Sequence, residues 1–137
     1  MATVNPYLNF QDNTEEAMNF YKSVFGTELM TVMRFKDAPG TNVTEADKDK
    51  IMHMALPIGN GNLLMATDML ESQGQVLKTG NNFSLSVSAT SEEEALHFYN
   101  GLSAGGTIEV PYKKEFWGYF GMFLDKFGVR WMINYGA

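Results

Sequence analysis

Residues 115–135 read EFWGYFGMFLDKFGVRWMINY and contain eight of the protein's 18 aromatic residues. Three glycines and one Asp-Lys pair interrupt the aromatic run, a pattern typical of two strands joined by a hairpin. Asp125-Lys126 is predicted to form the turn of this hairpin, with both charges exposed. Glu115 stands at the start of the segment, beside Phe116 and Trp117. A carboxylate among aromatic rings is either a solvated charge at a rim or the polar group of a ligand pocket.

The composition excludes several classes of protein. A chain of 137 residues forms one domain or two small modules, and the absence of cysteine excludes disulfides, thiol nucleophiles and thiolate metal sites. The net charge of −6, with no dense basic cluster, argues against nucleic-acid binding. The first ten residues do not resemble a signal peptide, and no apolar run approaches the roughly 20 residues of a membrane span. We therefore expect a soluble, cytoplasmic protein without nucleic-acid or membrane partners.

The first half of the chain predicts the order strand, helix and three further strands. Tyr7 to Phe10 is a short apolar run, and a capping box of Asn13 with Glu16 opens a helix that Gly26 closes. Segments 28–35, 51–58 and 63–67 predict strands, the last two joined by the glycine-flanked turn 59–61. The charged stretch 36–50 predicts a mobile surface loop and a candidate lid.

The second half repeats the first. Residues 93–99, EEALHFY, echo residues 15–21, EEAMNFY, and Ser91 with Glu94 forms a second capping box. The repeat predicts an α+β fold of two tandem βαβββ modules, 1–68 and 81–137, joined by a linker at 69–80. One helix covers only one face of four strands. Two modules side by side therefore predict a curved mixed sheet with helices outside and a concave aromatic pocket.

The duplicated βαβββ pattern resembles the vicinal oxygen chelate superfamily of glyoxalases, bleomycin-resistance proteins and extradiol dioxygenases. More narrowly, the chain resembles the PhnB-like branch, labelled "3-demethylubiquinone methyltransferase-like". The segments that carry this resemblance are NPYLNF (5–10), EEAMNFYKSVFG (15–26), APG (38–40), DKDKIMHMAL (47–56), LLMATD (63–68) and EFWGYFGMFLDKFGVRWMIN (115–134). The resemblance spans the whole chain and also implies a homodimer.

The resemblance implies four metal-ligand positions, and this chain departs from the family at all four. The first-strand positions align best with Asn5 and Asn82, and the last-strand positions with Met65 and Met132. Amide and thioether groups cannot replace imidazole and carboxylate as ligands that activate water. A methyl donor usually needs a glycine-rich turn after a parallel strand, and no glycine pair here has that context. We therefore expect no metal and no cofactor.

Eight residues are the candidates for the site. His53 and Glu115 are the candidate catalytic pair, as base and acid, although each also has an ordinary structural interpretation. Six further residues are expected to line the ligand pocket: Tyr7, Asn9, Met65, Trp117, Tyr119 and Trp131. The other histidine, His97, is predicted to face solvent on the second helix. Asp68 is interpreted as the start of a turn.

Three functions remain open from the sequence. The first is metal-independent binding of an unknown small molecule in an aromatic pocket, with His53 and Glu115 as orienting groups. The second is a lyase or isomerase in which these two residues transfer protons. The third is a structural homodimer without a ligand.

Overall fold

The computed structural model describes residues 2–40 and 42–136, and the chain divides between Lys78 and Thr79 into two units. The first unit contains β1 (Tyr7–Phe10), α1 (Thr14–Phe25), β2 (Thr31–Arg34), β3 (Ile51–Gly59) and β4 (Asn62–Asp68). The second contains β5 (Leu85–Ser88), α2 (Glu92–Ser103), β6 (Thr107–Glu115), β7 (Gly118–Leu124) and β8 (Arg130–Tyr135). This order confirms the predicted α+β class with two βαβββ modules.

Each unit builds a mixed four-stranded sheet with the same topology. The strand orders are β1-β4-β3-β2 and β5-β8-β7-β6. The first and last strands of each unit pair in parallel, and the remaining neighbours are antiparallel. The helix that follows the first strand carries the chain across one face of the sheet. Among the described residues it is the only α-helix of its unit, and it covers one face of that sheet.

The first unit packs its core between α1 and one face of its sheet. Side chains alternate between the two faces of a strand, so every second residue points toward the helix. α1 packs against β3 and β4. The buried residues of this core include Leu8, Phe10, Ala17, Met18, Tyr21, Met54, Leu56, Leu64 and Ala66. The opposite face carries the remaining strand residues and has no helix from this unit.

The second unit repeats this arrangement with larger aromatic groups. Phe123, Trp131 and Ile133 are buried on the face of the sheet that α2 covers. Gly121 lets the helix come close, because an added Cβ would lie 2.8 Å from the ring of Tyr99. The absence of a side chain at Gly121 is therefore a packing requirement.

A buried carboxylate fixes the start of α1. One oxygen of Asp68 accepts hydrogen bonds from the Thr14 backbone N–H at 3.1 Å and from its hydroxyl at 2.7 Å. The other oxygen accepts from the Ile51 N–H at 2.8 Å. The predicted capping box at Asn13 and Glu16 is wrong, since the Asn13 side chain makes no cap hydrogen bond. Asp68 instead satisfies one free N–H group of the first turn, that of Thr14.

The Gly26 and Ser91 caps are confirmed, whereas the predicted capping box of Ser91 with Glu94 is not closed, because Glu94 accepts from Thr90 rather than from the Ser91 N–H. Gly26 ends α1 in the left-handed conformation, with φ of 72°. The Ser91 hydroxyl accepts from the Glu94 N–H at 3.0 Å and starts α2. The Glu94 carboxylate in turn accepts from the Thr90 N–H at 2.8 Å.

The structure of the turn between β7 and β8 differs from two predictions, one for Asp125 and one for Trp131. Asp125 is only 4% exposed, not solvated as predicted. Its carboxylate accepts from the backbone N–H groups of Phe127 and Val129 and from the Trp131 indole N–H at 2.9 Å. Trp131, expected to line the ligand pocket, is 2% exposed and belongs to the core under α2. A buried indole needs an acceptor, and Asp125 supplies one.

The segment 36–50 is anchored at its second end rather than free. Asp47 is buried and forms an ion pair with Lys50 at 2.8 Å, and it also accepts from the Ser72 hydroxyl. Lys50 pairs with Asp12 at 2.8 Å as well. Hydrogen bonds from Lys50 and Ser72 hold the pKa of Asp47 below its usual range. Thr41, within the predicted loop, lies outside the described residues. These contacts hold the segment against the rest of the first unit. The prediction of a mobile lid did not include them.

Asp68→Ala should lower the free energy of unfolding by about 3 kcal/mol, because it leaves buried backbone donors without an acceptor. Chemical denaturation measures this change, and hydrogen exchange should show faster opening of the first turn of α1. Asp49→Ala is the control, since Asp49 forms only an exposed ion pair with Lys36. Equal effects of the two substitutions would contradict the role of Asp68.

Candidate functional site

Tyr7 and His53 meet on the face of the first sheet that α1 leaves open. The Tyr7 hydroxyl lies 3.0 Å from His53 Nδ1, and the two ring centroids are 5.6 Å apart. Partial burial raises the pKa of Tyr7, so the phenol is neutral near pH 7. The other ring nitrogen of His53, Nε2, makes no hydrogen bond to the described residues. The pair thus offers a held imidazole with one nitrogen available for a ligand.

Strand register places Asn9 and Met65 on the same face. Met65 is paired with Tyr7 on one side and with Ala55 on the other. Asn9 lies two residues along β1 from Tyr7 and is paired with Thr67. Four of the predicted site residues therefore share one sheet face: Tyr7, Asn9, His53 and Met65. Their role as a pocket lining stays a prediction.

A cavity of about 140 Å³ lies at one end of the second sheet, and we call it the Trp117 pocket. The ends of β5 and β8, the start of β7 and the turn before β7 form its walls. Its lining residues are Ser88, Ala89, Trp117, Tyr119, Asn134, Tyr135 and Gly136. The structure thus places two of the predicted site residues, Trp117 and Tyr119, in one cavity. None of the lining side chains carries a charge.

A stack of tyrosine rings lies on the α2 side of the second sheet, because Tyr119 and Tyr135 lie two residues along their strands from Gly121 and Ile133. Tyr119 lies between Tyr112, at 5.6 Å and 12°, and Tyr135, at 6.1 Å and 22°. Tyr99 extends the stack beneath α2, with its centroid 5.5 Å from that of Tyr112. Trp117 is more open, being 51% exposed, and it contacts Phe116 and Phe120 edge to face. The lining of the pocket therefore includes two residues of an ordered stack, Tyr119 and Tyr135, and one half-exposed indole.

Asn134 supplies the polar group of the pocket, and sequence reasoning missed it. Its Nδ2 donates to the Ser86 hydroxyl at 2.7 Å, and its backbone carbonyl accepts from the Ala89 N–H at 2.8 Å. These bonds hold the Asn134 side chain in place at the end of β8. The sequence contained a signal for Asn134: side chains alternate along β8, so Asn134 lies on the same open face as Met132.

Glu115 ends β6 and is paired with Gly118 across the hairpin. Its side chain is 29% exposed and lies 3.7 Å from Lys113 Nζ. Glu115 belongs to the second unit, whereas His53 belongs to the first. An acid–base pair formed by these two residues stays a prediction.

The residues present do not fit the metal of the glyoxalase-like enzymes. Within the parts of the chain that the structure describes, no three His, Cys, Asp or Glu side chains come together. Register identifies the equivalent open-face pairs as Tyr7 with Met65 and Ser86 with Met132. Asn5 is not an open-face ligand position, since its side chain accepts from the Leu63 N–H at 2.9 Å. Phenol, hydroxyl and thioether groups are a poor set for a hard or borderline cation.

A nucleotide-type methyl donor does not fit either. Such a donor binds at a glycine-rich turn between a parallel strand and the following helix. The two turns in this position are residues 11–13, QDN, and residues 89–91, ATS. Neither turn contains glycine, so neither offers the close backbone approach that a phosphate or ribose would require.

None of the helices in residues 2–40 and 42–136 is long and apolar enough to span a membrane.

Comparisons with known proteins cover nearly the whole chain. A family model described as 3-demethylubiquinone-9 3-methyltransferase matches residues 2–134. Protein YjdN of Escherichia coli (strain K12) is 30% identical over 141 residues, which is 96% of this chain and 93% of YjdN. The structure of PA1353 from Pseudomonas aeruginosa is 34% identical, with a TM-score of 0.89 over 99% of this chain and 98% of that one. The PhnB protein from Bacillus cereus is 28% identical, with a TM-score of 0.78 over 98% of this chain and 100% of that one.

A more distant structure shares the fold alone. A glyoxylase/bleomycin resistance protein/dioxygenase domain from Frankia sp. EAN1pec is 13% identical, with a TM-score of 0.69 over 100% of this chain and 98% of that one. This likeness confirms the predicted glyoxalase-like fold.

Tyr7→Phe should change the environment of His53 without unfolding the chain. Loss of the hydroxyl removes the hydrogen bond to Nδ1, so the ¹⁵N resonance of Nδ1 should move more than that of Nε2. The free energy of unfolding should fall by less than about 1 kcal/mol, since Tyr7 is 45% exposed. The His97 resonances are the internal control. An unchanged Nδ1 resonance would show that the contact is absent in solution.

Tyr112→Phe should stabilise the protein by up to about 1 kcal/mol, because the buried Tyr112 hydroxyl has no hydrogen-bond partner. Burial raises the pKa of Tyr112, so the folded state keeps a proton that the unfolded chain loses near pH 10. This contribution is present below about pH 10 and is lost as the pH rises above it. Alkaline denaturation should therefore be less steep in Tyr112→Phe than in the wild type. A steeper alkaline loss in the variant would contradict the burial of this hydroxyl.

Proposed function

The chain belongs to the 3-demethylubiquinone-9 3-methyltransferase family, and we propose that it acts there as a metal-independent protein that binds a small organic molecule. The observation that carries this proposal is the Trp117 pocket, with aromatic walls and no charged lining residue. Aromatic side chains beside a few placed polar groups are the usual lining of a small-molecule site. The family description does not require methyl transfer, because neither strand-to-helix turn suits a methyl donor.

The exposed indole gives the pocket its affinity. Trp117 leaves 51% of its surface in water, and a ligand ring placed against it removes apolar area from solvent. Tyr119 does not have to be ordered on binding, because its ring already lies between two others. A wall that is ordered in advance reduces the entropy lost on association.

Proton transfer is the second candidate function, and the Tyr7–His53 hydrogen bond favours it. The bond holds the imidazole while leaving Nε2 without a protein partner among the described residues. When Nδ1–H donates to the Tyr7 hydroxyl oxygen, Nε2 keeps its lone pair and can accept a proton from a bound substrate. In a lyase or isomerase, His53 would act as the base and Glu115 as the acid. Without turnover, the same two residues would orient a ligand in the binding protein.

We further propose that the protein is a cytoplasmic homodimer without nucleic-acid or membrane partners. Phe116 is 96% exposed at the tip of the β6–β7 hairpin, which suits a surface that meets another protein. A structural homodimer without any ligand is the third candidate. Analytical ultracentrifugation measures the oligomeric state independently of ligand binding.

A set of aromatic probes tests ligand binding. Phenol, benzamide, benzoate and 2-pyridone are titrated against the wild type, Trp117→Ala and Phe116→Ala, with thermal shift and ligand-detected NMR as readouts. Trp117→Ala should weaken the best probe about tenfold, because it removes one aromatic wall. Phe116→Ala is the matched control, since Phe116 adjoins Trp117 but does not line the pocket. Binding to none of the probes would favour the structural homodimer, and equal loss in both variants would contradict the assigned pocket.

Variants of His53 and Glu115 separate binding from catalysis. His53→Ala and Glu115→Gln should leave probe binding at the Trp117 pocket within about threefold, since neither residue lines that pocket. An enzyme would instead lose turnover of its substrate by about 100-fold or more in either variant. Turnover of a bound probe that His53→Ala abolishes would establish the enzymatic alternative.

A further inference from the structure

Asn134 carries an unused amide edge at the Trp117 pocket. One Nδ2 hydrogen donates to Ser86 Oγ at 2.7 Å, and no described residue bonds the second Nδ2 hydrogen or Oδ1. Ser86 lies two residues before the end of β5. Because the Nδ2 side of the Asn134 amide faces Ser86, its Oδ1 points away from Ser86. The side chain is therefore held with both a donor and an acceptor free. A held amide recognises a partner that presents an acceptor beside a donor.

The lining of the pocket selects against ionised ligands. Its side chains come from serine, alanine, tryptophan, tyrosine and asparagine, none of which neutralises a charge. Moving an ion out of water into such a site without a partner is strongly unfavourable. A neutral ligand with hydrogen-bonding groups avoids this cost.

The volume of the pocket limits the size of the ligand. A cavity of about 140 Å³ holds the equivalent of about five water molecules at roughly 30 Å³ each. One six-membered ring with a small substituent is of a size that this open site can hold. The flat ring can lie against the Trp117 indole, which is half exposed.

Resting on the proposed function of this pocket, the structure assigns a ligand class: neutral single-ring lactams and related heteroaromatic amides. The ring N–H donates to Asn134 Oδ1, and the adjacent ring carbonyl accepts from the free Nδ2 hydrogen. The ring face covers Trp117, and Ser88 supplies a further hydroxyl at the rim. The Asn134–Ser86 bond makes Ser86 a positioning residue for this recognition.

Four small probes test the class on the wild-type protein. 2-Pyridone carries the lactam edge, 3-methyl-2-pyridone adds a methyl group but keeps the N–H, and N-methyl-2-pyridone replaces the N–H with a methyl group. Anisole has a ring of similar size with no N–H. Titration followed by protein-detected NMR should show 2-pyridone and 3-methyl-2-pyridone binding about tenfold more tightly than N-methyl-2-pyridone. Equal affinities for the three pyridones would overturn the inference without any variant.

Variants test whether Asn134 is the source of the preference for 2-pyridone over N-methyl-2-pyridone. Asn134→Leu should bind 2-pyridone and N-methyl-2-pyridone equally, and Ser86→Ala should retain a reduced preference for 2-pyridone. Asn100→Leu is the matched control, because Asn100 is exposed on α2 outside the pocket. Far-UV circular dichroism checks the fold of each variant. A preference that persists in Asn134→Leu would contradict the assignment.

The outcomes separate this inference from the proposed function. Binding of anisole and all three pyridones at the Trp117 pocket, with no lactam preference, would support the proposed binding function and contradict the proposed ligand class. Binding of none of the four, together with failure of the wider aromatic set, would remove both.

Discussion

In the part of the chain that the structure describes, each four-stranded sheet has a single α-helix from its own unit, and this helix covers only one face. The side chains of that face are close-packed, with Ala17, Met18 and Tyr21 of α1 fully buried in the first unit. Carboxylates hold the edges of this packing, since Asp68 joins α1 to β3 and β4 and Asp125 holds the Trp131 indole. The other face and the strand ends of each sheet are left for functional groups. The packing on the helix face therefore determines which residues can bind a ligand.

The Trp117 pocket follows from the same constraint. α2 approaches β7 closely because Gly121 has no side chain, and the ring of Tyr99 occupies that space. Tyr99 leads to the stack of Tyr112, Tyr119 and Tyr135, and the last two of these residues also line the pocket. The pocket is thus ordered by the core rather than by the ligand. An aromatic wall with a held amide suits recognition of a neutral ring, whereas metal chemistry requires imidazole and carboxylate ligands.

Local patterns in the sequence were enough to predict both modules, the hairpin of residues 115–135 and the Ser91 cap. Each of these depends on residues that are neighbours in the chain. The bonds of Asp68 could not be predicted in this way, because Thr14 is 54 residues distant. Trp131 was assigned to the pocket because aromatic residues of a core and of a cavity follow the same alternation along a strand. Its bond to Asp125, which shows that it belongs to the core, cannot be read from that alternation. The Tyr7–His53 contact joins β1 and β3, which are not adjacent in the sheet, so only three-dimensional structure brings the two candidates together.

The dependence of ligand binding on divalent metal tests the central claim most directly. Isothermal titration of the strongest aromatic probe is carried out on protein dialysed against EDTA, and again after addition of stoichiometric Zn²⁺, Ni²⁺, Fe²⁺ or Mn²⁺. A metal-independent site predicts the same affinity and stoichiometry in every titration. Binding or turnover that appears only after one of these metals is added would contradict the account.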